Sequence, residues 1–493
     1  MQEQKQNIIE GDLMSKSVLE LQENPGRQEK DLLGEAWVPA GAYFGIQTQR
    51  ACDNFDLSGV QLSLFPQLVN ALALVKQACA KANHALGFLN STKTSAIEEA
   101  VKLILDGQHH DQFVVDMIQG GAGTSTNMNA NEVIANIGLV QMGYAKGEYA
   151  HLHPNNDVNM SQSTNDAYPT AVRLSILLKH GDLVKALAAL RDAFAAKGDE
   201  FGDIIKMGRT QLQDAVPMTL GQEFKSFAST LSEDVQRIDE LAELLKEINL
   251  GGTAIGTGIN TDPEYAQLAV GYLSELSGFE FKRASDLVEA SSDMGAFVLF
   301  SSMLKRLAVK LSKISNDLRM LSMGPRCGLN EINLPAQQPG SSIMPGKINP
   351  VIPEAVNQVA YQVIGNDLAV TMAAEAGQLQ LNAMEPLIAY NVLESIRMLT
   401  QAMGMLETRC VRGITANVGR CQELVDQSIG IITAVVPYIG YDNSTCIAKK
   451  ALETGRGVLE LIREEKLMTE EALEDVLKAD NMIRPQPRRS AES

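Results

Sequence analysis

The feature that most constrains the fold is an apolar stripe between Thr219 and Ile248. Large apolar residues recur there at steps of three or four, the period of one helical face. They are Leu220, Phe224, Phe227, Leu231, Val235, Ile238, Leu241, Leu245 and Ile248. A long helix with one apolar face is not stable by itself in water. The stripe therefore predicts a bundle of long helices, of the kind that is often shared between subunits.

Two further stretches support a mainly helical chain. After a glycine-rich break at residues 249–260, helical periodicity returns from about Leu287 to Met323 and again from near Pro353 past Asp367. Aromatic residues make up only 5% of the chain, whereas Ala, Leu, Met, Glu and Lys, all good helix formers, are frequent. We predict a mainly α fold with a central bundle of long helices.

Breaks in the pattern suggest the domain organisation. Gly, Asn and Pro divide the chain before Ser163 into shorter pieces, and short helical units return after Arg420. We therefore predict an N-terminal extension at 1–30, an N-terminal domain at 31–162, the long-helix domain at 163–420 and a small helical domain at 421–493. Near the end, Thr469 suits a helix N-cap.

Charge and composition exclude several classes of function. The formal net charge of −18 repels nucleic-acid phosphates and anionic lipid headgroups. The first thirty residues contain no apolar run that would serve as a signal peptide, and no later run reaches the length of a membrane span. The six cysteines and six histidines show no zinc-ligand spacing. We expect a cytoplasmic protein that binds neither nucleic acid nor membrane and has no metal ligand set.

The strongest candidate motif is the segment from Pro339 to Pro350, PGSSIMPGKINP. Its three prolines and two glycines prevent a helix, so it must be a loop. It cannot be a phosphate-binding loop, because Pro345 and Ile348 stand where that motif needs a glycine and a hydroxyl. A plain connection is the alternative, but paired hydroxyls with a lysine in a long loop favour a functional site.

Three other polar clusters interrupt apolar sequence. The first, at 120–131, offers Thr124, Ser125, Thr126 and Asn127 as donors to a carboxylate, although an asparagine-rich turn with satisfied caps is the alternative. The second, at 159–166, contains Ser163, Thr164 and Asn165 and could otherwise be a helix N-cap. The third, at 208–217, contains Thr210 and Gln211.

The loop GSSIMPGKIN resembles the signature loop of the aspartase and fumarase superfamily, whose members add or remove a group beta to a carboxylate. The resemblance runs from about Asp31 to about Pro485. By motif position it implies that Ser341 is the base that removes the Cβ proton. It also implies a substrate-binding set that comprises Thr124, Ser163, Thr164, Asn165, Thr210, Gln211, Ser342, Lys347 and Asn349.

Gln211 favours the ammonia-lyase branch of this superfamily. Fumarases generally have a histidine at that position, and all six histidines of this chain lie earlier in the sequence. The segments at 328–335 and 375–386 also resemble the branch that acts on aspartate. The expected reaction is the reversible deamination of L-aspartate to fumarate and ammonia. The alternatives are fumarate hydratase and a non-catalytic helical protein that has kept the lyase fold.

The same resemblance assigns roles to groups of residues. Hydroxyl donors from Thr124, Ser163, Thr164 and Ser342 would stabilise an aci-carboxylate, in which negative charge builds up on the β-carboxylate. Lys347 and Asn349 would hold the α-carboxylate, and the amino group would meet Asn165, Thr210 and Gln211. A serine base needs a cation, backbone N–H groups or a helix N-terminus to stabilise its alkoxide.

Assembly and cofactors follow from the same resemblance. It implies a homotetramer whose active sites are shared among three subunits, with L-aspartate, fumarate and ammonium as ligands. The resemblance implies that the enzyme requires no cofactor, and it is compatible with a divalent cation, such as magnesium, as an activator. Arg50 could steer a dianionic substrate, or could lie on an ordinary solvated face.

Overall fold

The computed structural model describes residues 26–483, and most of the polypeptide in this range is helical. The helices, numbered in chain order, are α1 (Ile46–Asn54), α2 (Pro66–Ala85), α3 (Ser91–Leu105), α4 (Thr124–Gln141), α5 (Thr164–Glu200), α6 (Leu220–Ala242), α7 (Tyr265–Ser277), α8 (Gly295–Leu321), α9 (Val351–Glu375), α10 (Glu385–Arg409), α11 (Val418–Gln427), α12 (Ile432–Thr454), α13 (Val458–Glu464), α14 (Glu470–Val476) and α15 (Ala479–Ile483). The prediction of a mainly α chain with long central helices is confirmed.

Short two-stranded ladders accompany the helices. The strands are β1 (Arg27–Asp31), β2 (Gly34–Val38), β3 (Ile205–Thr210), β4 (Gln213–Thr219), β5 (Glu247–Ile248), β6 (Lys282–Arg283), β7 (Ile332–Asn333) and β8 (Thr415–Ala416). They pair as β1–β2, β3–β4, β5–β6 and β7–β8, and only β5–β6 is parallel. Strand β1 begins inside the predicted N-terminal extension, whose first 25 residues lie outside the described residues.

The chain divides into two compact units. Among residues 26–483, the first comprises the residues up to 181 together with 239–303 and 365–396, and the second comprises 182–238, 304–364 and the residues from 397 onward. Each of the five long helices α5, α6, α8, α9 and α10 has residues in both units. The predicted boundaries at 31–162, 163–420 and 421–493 stay a prediction.

The first unit is built around α2, whose side chains are buried on nearly all faces. Helix α2 packs against α3 and α7, and α3 packs in turn against α4. Glu132 of α4 is buried and accepts hydrogen bonds from the N–H groups of Gly45, Gln47 and Thr48 at the start of α1. A carboxylate suits that position because the first N–H groups of a helix have no partner within the helix.

The second unit has two separate apolar clusters. In one, the rings of Phe194, Phe201, Phe224 and Phe227 lie edge to face or tilted, with centroids 5.2–6.1 Å apart. These geometries are the favoured ones for aromatic pairs. The other cluster packs Met207 of β3 against the C-terminal helices α11–α14. The hairpin β3–β4 is therefore anchored by its apolar face.

Two helix boundaries differ from the sequence predictions. The helix expected over Thr219–Ile248 ends at Ala242, because a 3₁₀ turn follows and Ile248 pairs with Arg283 in the β5–β6 ladder. The helix expected from Leu287 begins at Gly295, where Asp293 accepts a hydrogen bond from the Gly295 N–H. The predicted N-cap at Thr469 is confirmed, since its side chain accepts from Ala472 N–H.

The helices can be compared with membrane-spanning segments by their length and hydropathy. Within residues 26–483, no helix taken singly has the length and hydropathy to cross a bilayer. One bent pair, Val418–Gln427 with Ile429–Thr454, meets that test of length and composition across a 73° bend.

Candidate active site

The loop at 339–350 gives Ser341 a distinctive environment. Its Oγ accepts hydrogen bonds from the backbone N–H groups of Ile343 (3.2 Å) and Met344 (3.0 Å). Backbone donors aimed at one oxygen stabilise negative charge on it. Of the three ways to support a serine alkoxide, the described structure supplies backbone N–H groups.

Hydrogen bonds close the loop at its base. The Gly340 N–H donates to Lys347 O (2.9 Å), and Asn349 Nδ2 donates to Gly340 O (2.7 Å). A Cβ at position 340 would lie 2.4 Å from Lys347 O, so only glycine fits there. Ser342 and Lys347 are exposed on the loop surface. Asn349 is therefore part of the loop framework, while Ser342 and Lys347 face solvent.

Thr210 and Gln211 lie at the tip of the β3–β4 hairpin. Thr210 pairs with Gln213 across a two-residue turn, Gln211–Leu212, in which both φ angles are positive (54° and 63°). Such turns usually contain Asn-Gly, because other residues are strained in the left-handed region. Both tip residues are exposed. A cavity of about 310 Å³ opens beside the hairpin, with Arg209 and Gln211 in its lining.

A buried ion cluster lies at the base of this hairpin. The carboxylate of Glu331, which is fully buried, contacts Lys206 Nζ and Arg209 Nη1 at 3.0 Å each. Lys206 also pairs with Glu223 of α6. We call Lys206, Arg209, Glu223 and Glu331 the hairpin ion cluster. It connects the hairpin to the chain segment that leads into the signature loop.

In the first unit, Thr124 is the first residue of α4. Its hydroxyl donates to Gly121 O (2.7 Å), and the side chain is exposed. Gly123 precedes it with φ +90°, and a Cβ there would lie 2.5 Å from the Tyr168 ring. Of the other donors expected from this cluster, Thr126 is buried and hydrogen-bonds to Gln119. Thr124 is therefore the threonine of this cluster that solvent reaches.

The cluster of Ser163, Thr164 and Asn165 forms the start of α5. Asn165 Nδ2 donates to Ala254 O (2.7 Å), so the acceptor Oδ1 is the amide atom suited to an ammonium group. Asp166 is fully buried behind the cluster. Its carboxylate accepts from the N–H groups of Ser163, Gly251 and Thr253 at 2.9–3.0 Å. The polar cluster is thereby fixed to the glycine-rich loop.

Lys76 connects the two donor clusters of the first unit. Its Nζ is fully buried and donates to Asn127 Oδ1 (2.6 Å), Asn159 Oδ1 (2.8 Å) and Gln162 Oε1 (2.8 Å). Burial lowers the pKa of Lys76 from 10.5 to about 8, and the nearby Cys79 and Asp166 partly oppose this change. Asn127 therefore serves inside the protein and is not an accessible donor.

Sequence reasoning missed three residues that hold the clusters in place. They are Lys76, Asp166 and Glu331, all of them buried. Lys76 gave a usable signal, since it directly follows an apolar run at 71–75, on a helix whose side chains are mostly apolar. Glu331 gave no comparable signal, because its partners Lys206 and Arg209 are distant in sequence.

Two further expectations concern charge and metal ions. Arg50 forms a bidentate pair with Asp31 at 2.8 and 2.9 Å, and this pair holds the pKa of Asp31 below its usual range. The paired geometry suits the solvated-face alternative for Arg50. Among residues 26–483, no group of three or more His, Cys, Asp and Glu side chains has a metal-binding arrangement.

The candidate residues fall into two sets. Ser341, Ser342, Lys347 and Asn349 share the second unit with Thr210 and Gln211, whereas the set in the first unit comprises Thr124, Ser163, Thr164 and Asn165. A serine held by amide donors, with a lysine on the same loop, suits proton removal next to a carboxylate. Together with the long-helix fold, these features define a helical lyase.

Comparison with known proteins identifies the family. The sequence pattern described as "Lyase" matches residues 34–365, and that described as "Fumarase C C-terminus" matches residues 431–484. The chain belongs to the lyase family that includes aspartate ammonia-lyases and class II fumarases. Its resemblance to the aspartase and fumarase superfamily is thus confirmed.

Individual relatives locate it within the family. The aspartate ammonia-lyase of Pseudomonas aeruginosa is 69% identical over 93% of this chain and 97% of its own length. A Brucella melitensis protein described as fumarate lyase:delta crystallin bound to cobalt is 59% identical, with a TM-score of 0.91 over 93% of this chain and all of its own. The class II fumarase of Schistosoma mansoni is 36% identical, with a TM-score of 0.87 over 92% and 98% of the two chains.

Proposed function

We propose that this protein is an aspartate ammonia-lyase that converts L-aspartate reversibly to fumarate and ammonia. The observation that carries the proposal is the environment of Ser341, whose Oγ receives two backbone N–H groups within the GSSIMPGKIN loop. The names and high identity of the curated aspartate ammonia-lyases support aspartate over malate as the substrate.

In the proposed first step, the Ser341 alkoxide takes a proton from Cβ of aspartate. The electron pair of the broken C–H bond moves to the β-carboxylate, which becomes an aci-carboxylate dianion. Donors that strengthen as this charge develops lower the barrier. Ser163, Thr164 and Ser342 supply hydroxyls for that role, and Thr124 joins them when its hydroxyl turns from Gly121 O to the substrate.

In the second step, the electron pair returns from the aci-carboxylate to form the Cα–Cβ double bond. The Cα–N bond breaks, and its electron pair leaves with the protonated amino group (–NH3+), which becomes ammonia. Asn165, Thr210 and Gln211 would contact that group. Lys347 would hold the α-carboxylate together with the N–H of Asn349 Nδ2 that is not donated to Gly340 O. Ser341 then releases its proton to solvent. A histidine relay for a hydroxyl leaving group has no counterpart at Gln211.

The assembly forms part of the proposal. Following the family resemblance, we place the sites among three subunits of a homotetramer. Exposed apolar residues on the long helices, such as Tyr361, Leu368 and Met372, support an assembly. The reaction requires no prosthetic group, a divalent cation would act only as an activator, and the enzyme would work in the cytoplasm. The predicted domains 31–162, 163–420 and 421–493 remain part of this proposal.

The first experiment follows fumarate absorbance with L-aspartate or L-malate as the substrate. Activity with aspartate alone supports the proposal, whereas activity with malate alone identifies a fumarate hydratase. Ser341→Ala should then lower kcat by about 10²–10⁴-fold, the usual contribution of a general base. Ser226→Ala, at an exposed serine of α6, is the matched control and should keep full activity.

Shared sites have their own test. Thr210→Ala and Ser341→Ala are each expected to inactivate the enzyme when all subunits carry the same change. Unfolding the two variants together and refolding the mixture should restore part of the activity, because some mixed sites carry neither substitution. A mixture that stays as inactive as its components would place Thr210 and Ser341 of each site in the same subunit and would argue against the proposed sharing.

A further inference from the structure

The hairpin ion cluster has no part in the proposed chemistry, yet it is among the most deeply buried charge groups of the second unit. The side chains of Glu331 and Lys206 are 0% and 3% exposed, and Arg209 is 15% exposed. Burying charges costs free energy unless they are well paired. A buried cluster beside an exposed polar hairpin therefore calls for a physical reason.

The backbone of β3 is shaped to bring both cations to one carboxylate. Lys206 and Arg209 are three residues apart, and in a regular strand such residues point to opposite faces. The β3–β4 register shifts between Met207 and Arg209, which is a bulge at Gly208. A Cβ at Gly208 would lie 2.8 Å from Val216 O, so the close approach there requires glycine. Bulges re-aim side chains in this way.

The hairpin tip is strained where the cluster supports it. Gln211 and Leu212 both have positive φ although neither is glycine or asparagine. Such conformations persist when the surrounding structure enforces them, and they concentrate at functional sites. Arg209 directly precedes Thr210, so its ion pair with Glu331 holds the last residue of β3 before the tip.

Glu331 is itself firmly placed. Its backbone N–H donates to Leu321 O, and its carbonyl accepts from Asn417 N–H, each at 2.9 Å. It therefore connects the end of α8 and the β7–β8 ladder to the hairpin. Its side chain is a fixed point against which the hairpin can be held.

We propose that Glu331, acting through Arg209 and Lys206, is a positioning residue that holds the strained Gln211–Leu212 turn in the geometry required at the leaving amino group. This inference rests on the proposed function, since that function assigns Thr210 and Gln211 to the amino group. Glu331 acts through the hairpin and touches no reacting atom. Its loss should therefore weaken amine binding while leaving carboxylate binding intact.

The reverse reaction separates these two effects, because ammonium and fumarate are distinct substrates. Glu331→Gln should raise KM for ammonium by about tenfold or more, since displacements near 1 Å can cost up to about 10²-fold. KM for fumarate should stay within about twofold. Arg209→Met, which leaves Glu331 paired with Lys206 and so protects folding, should shift KM for ammonium in the same direction.

Asp234 offers a matched control. Its fully buried carboxylate also lies between a lysine and an arginine, Lys310 and Arg306, at 2.9 Å each, on helices α6 and α8. Asp234→Asn should leave KM for ammonium unchanged. If both KM values rise together, or only kcat falls, in the Glu331 and Arg209 variants, the residue supports folding alone and the proposal is overturned.

A second readout does not depend on the reaction. Amide hydrogen exchange at Thr210–Gln213 should be faster in Glu331→Gln and Arg209→Met than in the wild type, and unchanged in Asp234→Asn. If the wild type makes no fumarate from aspartate, the proposed function fails, and this exchange measurement still decides the positioning role. Equal exchange rates in all four proteins would show that Glu331 has no positioning role.

Discussion

Replacing Lys76 by methionine tests the energetics of the buried cation that links two donor clusters. Burial lowers its pKa from 10.5 to about 8. A difference of about 2.5 units corresponds to about 3.4 kcal/mol at 1.36 kcal/mol per unit. That is the order of the free energy by which its burial destabilises the folded protein wherever the amine is charged in both states.

The hydrogen bonds of Lys76 act in the opposite direction. Bonds from a charged donor contribute about 1.5–3 kcal/mol each, and Nζ makes three. Methionine removes the desolvation cost and these bonds together. Three such bonds contribute about 4.5–9 kcal/mol, more than the cost of about 3.4 kcal/mol, so Lys76→Met should be less stable at neutral pH by an amount that mixes both terms. The decisive quantity is therefore the pH dependence of the free energy of unfolding, which methionine abolishes at this position.

The sign follows from the lowered pKa. Below about pH 8 the amine is protonated in both states, and its burial destabilises the folded state fully. Between about pH 8 and pH 10.5 the folded protein releases the proton while the unfolded chain retains it. The unfolded state then binds more protons, so stability rises with pH. From about pH 7 to about pH 9.5 the Lys76 contribution to this rise is about 2 kcal/mol.

Urea unfolding followed by circular dichroism, at fixed protein concentration, measures this contribution as a difference between proteins. Relative to Lys76→Met, the wild type should gain about 2 kcal/mol between the two pH values. Lys102→Met, at an exposed lysine of α3, should respond to pH as the wild type does. If Lys76→Met and the wild type gain stability equally, the amine has an ordinary pKa and this reasoning fails.

Three other substitutions each test one local contact. Asp166→Asn can keep only one acceptor oxygen and should lower stability by about 2 kcal/mol or more, together with kcat/KM. Gly256→Ala places a Cβ 2.3 Å from the Leu287 carbonyl and should lower Tm further than Gly258→Ala, which has no atom nearer than 3.4 Å. Thr469→Ala should cost about 1 kcal/mol, visible as faster hydrogen exchange in α14 with unchanged turnover; a loss of activity would contradict a purely local role.

The sequence predicted the helices that bury one face and expose the other. The stripe on α6 was clear because its other face is polar. The longest helix, α5, was not predicted, because its first turns are buried on all sides and contain Pro169. The end of α6 was misplaced because Leu245 and Ile248 keep the helical spacing after the chain has left the helix for β5. Periodicity reports burial, and burial continues across such breaks.

For the candidate site, local sequence indicated the exposed donors. Ser341 and Lys347 stood out because proline and glycine forced a loop around them. The sequence offered backbone N–H groups only as one of three ways to stabilise the Ser341 alkoxide. It could not identify the two N–H donors, because their placement depends on the direction of the backbone within the loop. The roles of Ser341 and of the substrate-binding residues stay predictions that kinetics must test.

The buried charges explain why the exposed donors can be precise. In the first unit, Lys76 and Asp166 hold amide oxygens and backbone N–H groups from segments distant in sequence. In the second unit, Glu331 holds the two cations Lys206 and Arg209 of the hairpin. Preorganised donors lower a barrier only if they need not move as charge develops. A buried ion is well suited to this task, because any displacement of its partners leaves it unpaired in a medium of low dielectric constant. The cost in stability at Lys76 and the strain at Gln211 therefore have one physical origin, which is the need to keep short polar side chains in fixed positions.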